Sequence, residues 1–407
     1  MAAVGHTPGR QPLAPECPPT QRGMLGTAPQ PSALAFLQPL SERLRQPHPS
    51  KMSHPVSNAT PPLKPNTVNL TMDEAQDLVV RALTAAGALP ENARPAARAL
   101  VQAEAQGLSS HGLGRVPSYA GHLRTGRAHG DVHPVVAHRR GAALLIDAKD
   151  GFSFAACDMG IAEAIGMART QGIALLGVTN SHHAGVLVDH LRPVAAAGMI
   201  GLGFTNASAC MPAAGGKRAL FGTNPIAAIF PRQAGNQPAD PLMIDLALSE
   251  VARGKLMTAA QRGESIPLGW AVDADGQPTT DPVAGLAGSM LPIGAVSSPK
   301  GAMLALMVEI LASALLGANF SYEMGTFFTD EGGPLRSGHL FILIDPGAMA
   351  GQAEYHARLE ELVLSMFEDD GVRLAGARRL ALERAAQVHG IQIPRALYDQ
   401  IQALIEA

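Results

Sequence analysis

Cysteine is scarce in this sequence. Its 407 residues include three cysteines, Cys17, Cys157 and Cys210, which lie far apart along the chain. Because they form neither a Cys-x-x-Cys pair nor any other close spacing, the sequence excludes a thiolate zinc site and gives no reason to expect disulfides. Proteins of a reducing compartment show this pattern, so we expect a cytoplasmic protein.

Charge and long apolar runs are also limited. Charged residues make up 16% of the chain, whereas hydrophobic residues make up 46%, a balance typical of globular proteins. The net charge of −3 offers no global field to attract nucleic acid or an anionic membrane. The apolar stretch Met303–Leu316 is interrupted by Glu309 and Ser313 and is shorter than the roughly 18–20 residues of a membrane span. We therefore expect a soluble protein with no nucleic-acid or membrane partner.

The first 65 residues differ from the rest of the chain. They contain 14 of the 32 prolines and two acidic residues, Glu16 and Glu42, and they lack a continuous apolar segment of the kind found in secretory signals. This composition predicts a disordered, proline-rich extension over residues 1–65. Met52 is an alternative start, so whether residues 1–51 belong to the mature protein stays open.

Beyond the extension, apolar spacing predicts a mixed α/β protein. Thr71-Met72-Asp73-Glu74 has the form of a capping box, so a helix is expected from there to about Gly87, and a second helix is expected over Pro90–Gln106. Strands are predicted over Ala142–Asp147, Ile173–Thr179, Met199–Thr205, Ile226–Pro231, Leu242–Leu246 and His339–Asp345. Further helices are predicted over Phe154–Arg169, Val186–Ala197, Lys300–Leu316, Gln352–Phe367, Ala375–His389 and Pro394–Glu406.

The glycine fingerprint of Rossmann domains is missing. The nearest candidate is Gly201-Leu202-Gly203-Phe204-Thr205-Asn206, which lacks the third glycine and lies inside a predicted strand. Small residues in a buried strand are the more common explanation of such a partial motif. A standard Rossmann dinucleotide-binding domain is therefore disfavoured.

One polar segment carries groups suited to the reduction of a 2-oxo acid. Ser110, His111 and Gly112 precede Arg115 and Tyr119, and a helix through this segment would place His111, Arg115 and Tyr119 on one face. Histidine exchanges protons near neutral pH, arginine grips a carboxylate through two parallel hydrogen bonds, and a phenol orients a hydroxyl or carbonyl. An ordinary solvated helix start accounts for the same spacing, so spacing alone leaves both interpretations open.

Four other segments are candidates for ligand contacts. Asn180–Gly185 contains the pair His182-His183, but without an H-E-x-x-H motif or a neighbouring carboxylate we expect a polar ligand contact rather than a metal site. Phe221–Pro225 is typical of a turn between strands. Glycines and a lysine at a helix start can hold phosphate, although they also serve as ordinary helix starts. The segments of this last kind are Ser249–Lys255, which follows Asp245, and Pro292–Gly301, which ends in Lys300 and Gly301.

In this order, the segments resemble the malate/L-lactate dehydrogenase family that lacks a Rossmann fold, which also includes sulfolactate dehydrogenases, ureidoglycolate dehydrogenases and cyclic-imine acid reductases. The resemblance runs from about Leu70 to Ala407. It rests on six motifs: Ser110-His111-Gly112 with Arg115 and Tyr119, Ser181-His182-His183-Ala184-Gly185, Phe221-Gly222-Thr223-Asn224-Pro225, Asp245-Leu246-Ala247 with Arg253-Gly254-Lys255, Gly276-Gln277-Pro278-Thr279-Thr280-Asp281-Pro282, and Lys300-Gly301 with Glu309.

The resemblance implies a homodimeric oxidoreductase that uses NAD or NADP. It implies an α/β (α+β) fold with a non-Rossmann NAD(P)-binding domain, built on a largely antiparallel sheet, and a helical domain formed from both chain ends. We accordingly expect an N-terminal helical, substrate-binding segment over 66–140, the NAD(P)-binding α/β domain over 141–318, and a C-terminal strand and helices over 319–407 that pack with the N-terminal segment.

The resemblance also suggests roles for single residues. His111 is similar to the proton donor of the family, Ser110 to its supporting partner and Arg115 to the carboxylate anchor, with Tyr119 also at the substrate. In some members the histidine matching His183 is the proton-transfer group instead, so both histidines remain candidates. The residues that would contact the cofactor are His183, Ala184, Gly185, Val186, Leu187, Thr223, Asp245, Leu246, Ala247, Lys300 and Gly301.

Two departures from the family pattern bear on function. The loop Pro292–Gly301 is three residues longer than usual and has a proline before Lys300, which affects the expected grip on the cofactor. Lys255 occupies a position where cyclic-imine reductases tend to carry a carboxylate, so a 2-hydroxy/2-oxo acid of the malate, lactate or sulfolactate type is favoured. A cyclic-imine acid reductase (piperideine or pyrroline-2-carboxylate) and a catalytically silent nucleotide-binding dimer are the alternatives. Neither the acid nor the choice of NAD or NADP follows from these residues.

Overall fold

The computed structural model describes residues 65–235 and 237–406. The predicted extension over residues 1–65 lies outside the described residues apart from Pro65, as does Cys17. None of the described helices is long and apolar enough to cross a membrane.

Six of the eight helices predicted from apolar spacing agree closely with helices of the structure. Thr71 caps the first one, because its hydroxyl accepts a hydrogen bond from the Glu74 N–H at 3.2 Å while the Glu74 carboxylate accepts one from the Thr71 N–H at 2.8 Å. The described α-helices are α1 (Met72–Ala85), α2 (Pro90–Ala105), α3 (Val116–Arg124), α4 (Ser153–Gln171), α5 (Arg192–Ala196), α6 (Arg253–Arg262), α7 (Pro282–Ala287), α8 (Lys300–Glu309), α9 (Gln352–Met366), α10 (Ala377–His389) and α11 (Arg395–Glu406).

The strands form one large sheet and three small pairs. They are β1 (Thr67–Leu70), β2 (Val135–Arg140), β3 (Ala143–Asp147), β4 (Ile173–Ser181), β5 (Ile200–Thr205), β6 (Met211–Pro212), β7 (Ala219–Phe221), β8 (Ile226–Ala234), β9 (Gln237–Leu246), β10 (Ala271–Val272), β11 (Ser289–Met290), β12 (Ser337–Ile344) and β13 (Ile391–Pro394). Seven strands make the large sheet, in the order β2-β3-β4-β12-β5-β8-β9. Only β3 and β4 pair in parallel, joined through α4, so the prediction of a largely antiparallel sheet is confirmed.

The sheet draws on residues from both sides of the expected segment 141–318. Its edge strand β2 ends at Arg140, and β12, from the segment 319–407, lies between β4 and β5. The expected bounds therefore do not follow the sheet. Spacing identified β12 as a strand, but its neighbours depend on pairing with residues more than 130 positions away, for which the local sequence carries no signal.

Two predicted helices differ from those observed. Val186–Ala197 is not one helix: Val186 is extended, Leu187–Leu191 is a 3₁₀ helix, and α5 begins only at Arg192. The segment predicted as Lys300–Leu316 starts as α8 but widens into a π-helical turn over Ile310–Ala314.

Residues at both chain ends share one core. β1 pairs antiparallel with β13, and α11 packs against α1 and α3. The buried side chains of Tyr119, Ile391, Ile393 and Ile401 belong to one cluster with those of α1 and α2. A second cluster lies between the sheet, α4 and the 3₁₀ turn after Val186, and a third lies on the other side of the sheet, beneath α6 and α8.

Candidate active site

The segment that carries His111 is two short 3₁₀ turns, Ser109–His111 and Leu113–Arg115, between α2 and α3. The helix assumed in grouping His111 with Arg115 and Tyr119 is therefore not continuous. Glu104 at the end of α2 fixes this segment, because its carboxylate accepts hydrogen bonds from the Ser109 hydroxyl at 2.7 Å and the Leu113 N–H at 2.9 Å. Any side chain at Gly112 would place its Cβ 2.2 Å from that carboxylate, which explains the glycine.

His111 lies beside the second candidate histidine. The Ser110 hydroxyl is 3.0 Å from His111 Nδ1, and the His111 and His183 rings stack with their centroids 5.5 Å apart. Burial lowers the pKa of His111 to about 4, with further contributions from the charges of Arg115 and Arg379. His111 is thus neutral at pH 7.

Arg115 holds an uncompensated positive charge at this site. Its Nε donates to the Ser110 carbonyl at 2.6 Å, and its guanidinium lies 4.9 Å from the Phe327 ring centroid and 5.5 Å from that of Phe328. Arg115 forms no salt bridge with any described residue. The remaining guanidinium N–H groups are thus able to bind a carboxylate.

Tyr119 is turned toward His183 rather than toward open space. It is fully buried, and its hydroxyl lies 3.0 Å from His183 Nδ1. The Gly185 N–H donates to the same nitrogen at 3.3 Å, so Nδ1 accepts, and the proton of neutral His183 is on Nε2. Burial raises the pKa of Tyr119 and holds the pKa of His183 well below its usual range. Tyr119, expected at the substrate, is placed to orient His183.

A second histidine pair lies behind the first. His122 Nε2 is 3.0 Å from the Thr329 carbonyl, which can only accept, so His122 Nδ1 must accept from His182 Nε2 at 2.8 Å. Phe327 covers both rings, with centroid distances of 5.3 Å to His122 and 5.5 Å to His182. Burial holds the pKa of His182 well below its usual range, so the pair is neutral at pH 7.

The loop 325–333, whose Phe327 packs against the histidines, was not predicted from sequence. Arg127 holds this loop in place. Its side chain is fully buried and donates to the carbonyls of Thr326, Thr329 and Gly333. No motif or periodicity marks these residues. An arginine that binds only carbonyls across about 200 residues of chain cannot be recognised from local sequence.

Arg379 in α10 was also missed. Its guanidinium lies 3.4 Å from both the carboxylate and the carbonyl of Asp245, and its charge lowers the pKa of His111. The Asp245 carboxylate also accepts from the Val188 N–H at 3.4 Å. Asp245 therefore joins the end of β9 to the segment after His183, which brings two of the expected cofactor segments together.

The other expected cofactor residues are linked through the backbone. The Thr223 carbonyl accepts from the Leu248 N–H at 2.8 Å, and the Leu248 carbonyl accepts from the Ile293 N–H at 2.8 Å. A Cβ at Gly301 would lie 2.2 Å from the Ile293 carbonyl oxygen, so the start of α8 approaches this segment closely. The turn at Thr223, the segment Asp245–Ala247 and the start of α8 therefore lie in one region.

The long loop before Lys300 is anchored at one point by a carboxylate. The Gly294 N–H donates to Glu250 at 3.0 Å, and the Ser298 hydroxyl accepts from the Lys300 N–H at 3.3 Å. Lys300 is exposed and forms no salt bridge with the described part of the chain. Lys300 therefore places a positive charge with no described salt-bridge partner at the first position of α8.

Comparison with known proteins identifies the family of the chain. A family model described as malate/L-lactate dehydrogenase matches residues 70–402. The chain belongs to this family. It is an NAD(P)-dependent oxidoreductase, as the sequence motifs predicted. In the described residues no group of His, Cys, Asp and Glu side chains could hold a metal ion.

Several members of the malate/L-lactate dehydrogenase family match this chain over nearly their whole length. The chain is 42% identical to a (2R)-3-sulfolactate dehydrogenase (NADP(+)) of Chromohalobacter salexigens, over 82% of this chain and 97% of the relative. It is 38% identical to a Delta(1)-pyrroline-2-carboxylate reductase of Ancylobacter novellus, over 83% and 97%. Among solved structures, delta1-piperideine-2-carboxylate reductase from Pseudomonas syringae superposes with a TM-score of 0.77 at 35% identity, covering 83% of this chain and 99% of the other.

Proposed function

We propose that the protein interconverts a small 2-oxo acid and the corresponding 2-hydroxy acid, with His111 as the proton-transfer group and Arg115 as the carboxylate anchor. The observation that carries this proposal is an unpaired guanidinium next to a histidine with a free ring nitrogen, on the loop between α2 and α3. A 2-oxo acid needs one cation for its carboxylate and one acid for its carbonyl oxygen, and these two groups supply both.

The reaction divides between the cofactor and the chain. The nicotinamide, when bound, supplies the hydride to C2 of the acid or takes it from there. Arg115 holds the carboxylate through two parallel hydrogen bonds and so fixes C2 and its oxygen relative to His111. Because the Ser110 hydroxyl engages His111 Nδ1, Nε2 is the nitrogen that exchanges a proton with the substrate oxygen. Neutral His111 is ready to accept the proton of a 2-hydroxy acid.

The cofactor would be held by His183–Leu187, Thr223, Asp245–Ala247, Lys300 and Gly301. The exposed Lys300 at the first position of α8 fits a phosphate group, because both its charge and the helix N-terminus favour an anion there. NADP is the favoured form, since the sulfolactate dehydrogenase that is 42% identical uses NADP.

A sulfonated or carboxylated 2-hydroxy acid is the favoured substrate. The exposed Lys255, whose Nζ lies 5.9 Å from the Trp270 ring centroid, and the identity to a sulfolactate dehydrogenase support this choice. A cyclic-imine acid is the second candidate, because relatives of 34–38% identity are named pyrroline-2-carboxylate reductases and a C=N bond beside a carboxylate suits the same two residues.

A substrate panel tests the proposal. Oxidation of NADPH and of NADH is followed with 3-sulfopyruvate, oxaloacetate, pyruvate and the two cyclic-imine acids, for wild type, His111→Ala and His183→Ala. We expect NADPH oxidation with a 2-oxo acid and a fall in kcat of roughly 10²–10⁴ in His111→Ala with cofactor binding intact. Turnover of imines alone would support the second candidate. Cofactor binding without any turnover would support a silent protein, and an active His111→Ala beside an inactive His183→Ala would exchange the two histidines.

We also propose that the protein is a cytoplasmic homodimer that uses an apolar face of α8. Large apolar side chains along α8 and the π-turn are 37–55% exposed, an extent that marks an interaction surface. They are Met303, Leu304, Leu306, Met307, Ile310 and Leu315. The described cysteines, Cys157 and Cys210, are free and buried, in keeping with a reducing compartment. Light scattering of wild type and Met307→Glu tests the dimer, since a monomeric wild type contradicts it.

A further inference from the structure

Glu309 is a buried carboxylate at the last position of α8. It is 3% exposed and accepts three hydrogen bonds: from Asn224 Nδ2 at 2.7 Å, from the Ser321 hydroxyl at 2.7 Å and from the Ser321 N–H at 2.5 Å. Asn224 and Ser321 are themselves fully buried. Three donors from two separate loops therefore converge on one side chain.

The donors around Glu309 are all neutral. Glu309 forms no salt bridge within the described residues, so the energy that holds the carboxylate in the interior comes from these hydrogen bonds. Hydrogen bonds to a charged group are stronger than those between neutral groups and depend strongly on geometry. Glu309 thus fixes the positions of its partners rather than merely filling space.

Asn224 connects Glu309 to the expected cofactor site. It has a left-handed backbone conformation with φ 40°, and its amide also donates to the Ala305 carbonyl of α8 at 3.0 Å. The residue before it is Thr223, whose carbonyl binds the N–H of Leu248. Lys300 is the first residue of α8, the helix that ends at Glu309. Glu309 therefore ties together two segments that come from distant parts of the chain.

We propose that Glu309 is a positioning residue for the dinucleotide: through Asn224 it holds the turn at Thr223 against α8, so that Thr223 and Lys300 reach the cofactor together. This inference rests on the proposed cofactor site. Glu309 itself touches neither the cofactor nor the reacting atoms. Its loss acts on cofactor affinity and leaves the groups around His111 in place.

The variant Glu309→Gln tests the proposal with almost no change in shape. The introduced amide must turn its N–H toward either the Asn224 N–H or the Ser321 N–H, because these two groups donate to different oxygens of the Glu309 carboxylate. Either arrangement brings two donors together, and Asn224 cannot flip without turning its oxygen toward the Ala305 carbonyl. We expect the Kd for NADPH, measured by fluorescence titration, to rise about tenfold, while kcat and the KM for the acid at saturating NADPH stay within twofold.

A double variant separates positioning from general damage. Glu309→Gln and Asn224→Ala are compared with the double variant that combines them, because a residue that acts only through Asn224 adds nothing once the Asn224 amide is gone. We expect the double variant to bind NADPH no more weakly than Asn224→Ala alone. Glu323→Gln is the matched control, because Glu323 also accepts a backbone N–H, from Phe320 at 2.8 Å, but is exposed.

Three outcomes would overturn the inference: an unchanged Kd in folded Glu309→Gln, a fall in kcat as large as the rise in Kd, or a double variant whose Kd rises by the product of the two single effects. If Glu309→Gln fails to fold, Ser321→Ala, which removes one of the three bonds, decides the matter, and an unchanged Kd there overturns the inference. Wild-type protein that binds NADPH but turns over no acid would contradict the proposed function and leave this inference standing.

Discussion

His111 and His183 are half-buried, and the charge of the neighbouring Arg115 acts on both rings. Burial and Arg115 lower the pKa of both histidines, so the free protein carries one positive charge here and two neutral rings. If Arg115 binds the substrate carboxylate as proposed, the bound anion offsets the charge of Arg115 and thereby raises the pKa of His111. At the scale of single residues, the proposal therefore implies that binding of the anion favours protonated His111.

Because the pKa of His111 is about 4, kcat/KM for the 2-oxo acid and kcat/KM for the 2-hydroxy acid should depend on pH differently. Reduction needs His111 protonated, and the protonated fraction in the free protein falls tenfold per pH unit above about pH 5. We expect log(kcat/KM) for the 2-oxo acid to fall with a slope near −1 from about pH 5.5 to 8, while kcat/KM for the 2-hydroxy acid stays level. A level profile for reduction up to pH 7 would contradict the lowered pKa.

Arg115 is expected to bind the acid through two parallel guanidinium N–H bonds as well as through its charge. Arg115→Lys keeps the charge but loses the two parallel bonds, so the KM for the 2-oxo acid should rise about ten- to a hundredfold. Because Arg115 is distant from Lys300 in the chain and is expected to contact only the acid, the Kd for NADPH should stay within twofold. Steady-state kinetics and fluorescence titration measure the two quantities, and an unchanged KM would remove Arg115 from the substrate site.

Tyr119 is expected to matter through His183. Tyr119→Phe removes one of the two donors to His183 Nδ1 and leaves only the longer bond from the Gly185 N–H to orient the ring, so we expect kcat to fall about five- to tenfold. Tyr355→Phe is the matched control, because the Tyr355 hydroxyl donates to a carbonyl, that of Pro231 at 3.1 Å, away from the site. Equal effects of the two substitutions on kcat would show that Tyr119 has no role in orienting His183.

Part of the site was predictable from sequence because its residues are neighbours in the chain. Ser110, His111 and Arg115 come within six residues, and the structure brings them beside His183. Tyr119 was recognised, but its direction was not, since a helical face does not say which neighbour a hydroxyl meets. Phe327 and Arg379 come from segments with no motif, and only the tertiary fold brings them to the site.

At the scale of elements, the π-turn after α8 is a point of close contact with the sheet. Gly338 in β12 lies so near this turn that a Cβ there would be 1.7 Å from the Ala312 carbonyl oxygen. Asn206 fastens the same region, since its amide donates to the Ser313 hydroxyl at 2.7 Å and accepts from the Gly338 N–H at 3.1 Å. The helix widens where the central strand passes beneath it.

Gly338→Ala should therefore be costly. The neighbour is a backbone oxygen that no side-chain rotation can move, so we expect a loss of about 1–3 kcal/mol in the free energy of unfolding. Gly166→Ala is the control, because Gly166 lies within α4 with open space around its Cα and should gain up to about 1 kcal/mol from helix propensity. Urea unfolding measures both, and a stable Gly338→Ala protein would contradict the close packing.

At the scale of the whole molecule, the first and last described strands pair with each other. β1 pairs with β13 over four residues, and the core they cover also contains Leu113 and Tyr119 beside the candidate active site. Neither strand was predicted from sequence, since runs of four residues have too little periodicity to distinguish from loop. The helices next to them were predicted, because each shows a clear apolar face over three or more turns.

Because β13 and Tyr119 belong to one core, a destabilising substitution in β13 should also disturb the candidate active site. Ile393 is fully buried in β13, so Ile393→Ala should lower the free energy of unfolding by about 2–4 kcal/mol. We expect the midpoints of urea unfolding followed by circular dichroism and by enzyme activity to shift together. Val388→Ala, at a side chain that is 69% exposed, should shift neither. A shift in circular dichroism alone would show that the chain ends are independent of the site.

The central position of β12 also determines when the sheet can be completed during synthesis. About 150 residues separate the end of β4 from the start of β12, so at roughly 5–20 residues per second a ribosome releases β12 about ten to thirty seconds after its neighbour. During that time the facing edges of β4 and β5 have no partner strand, and unpaired edges are prone to association. The sheet can therefore be completed only after β12 has left the ribosome, and nascent chains are expected to be prone to association until then.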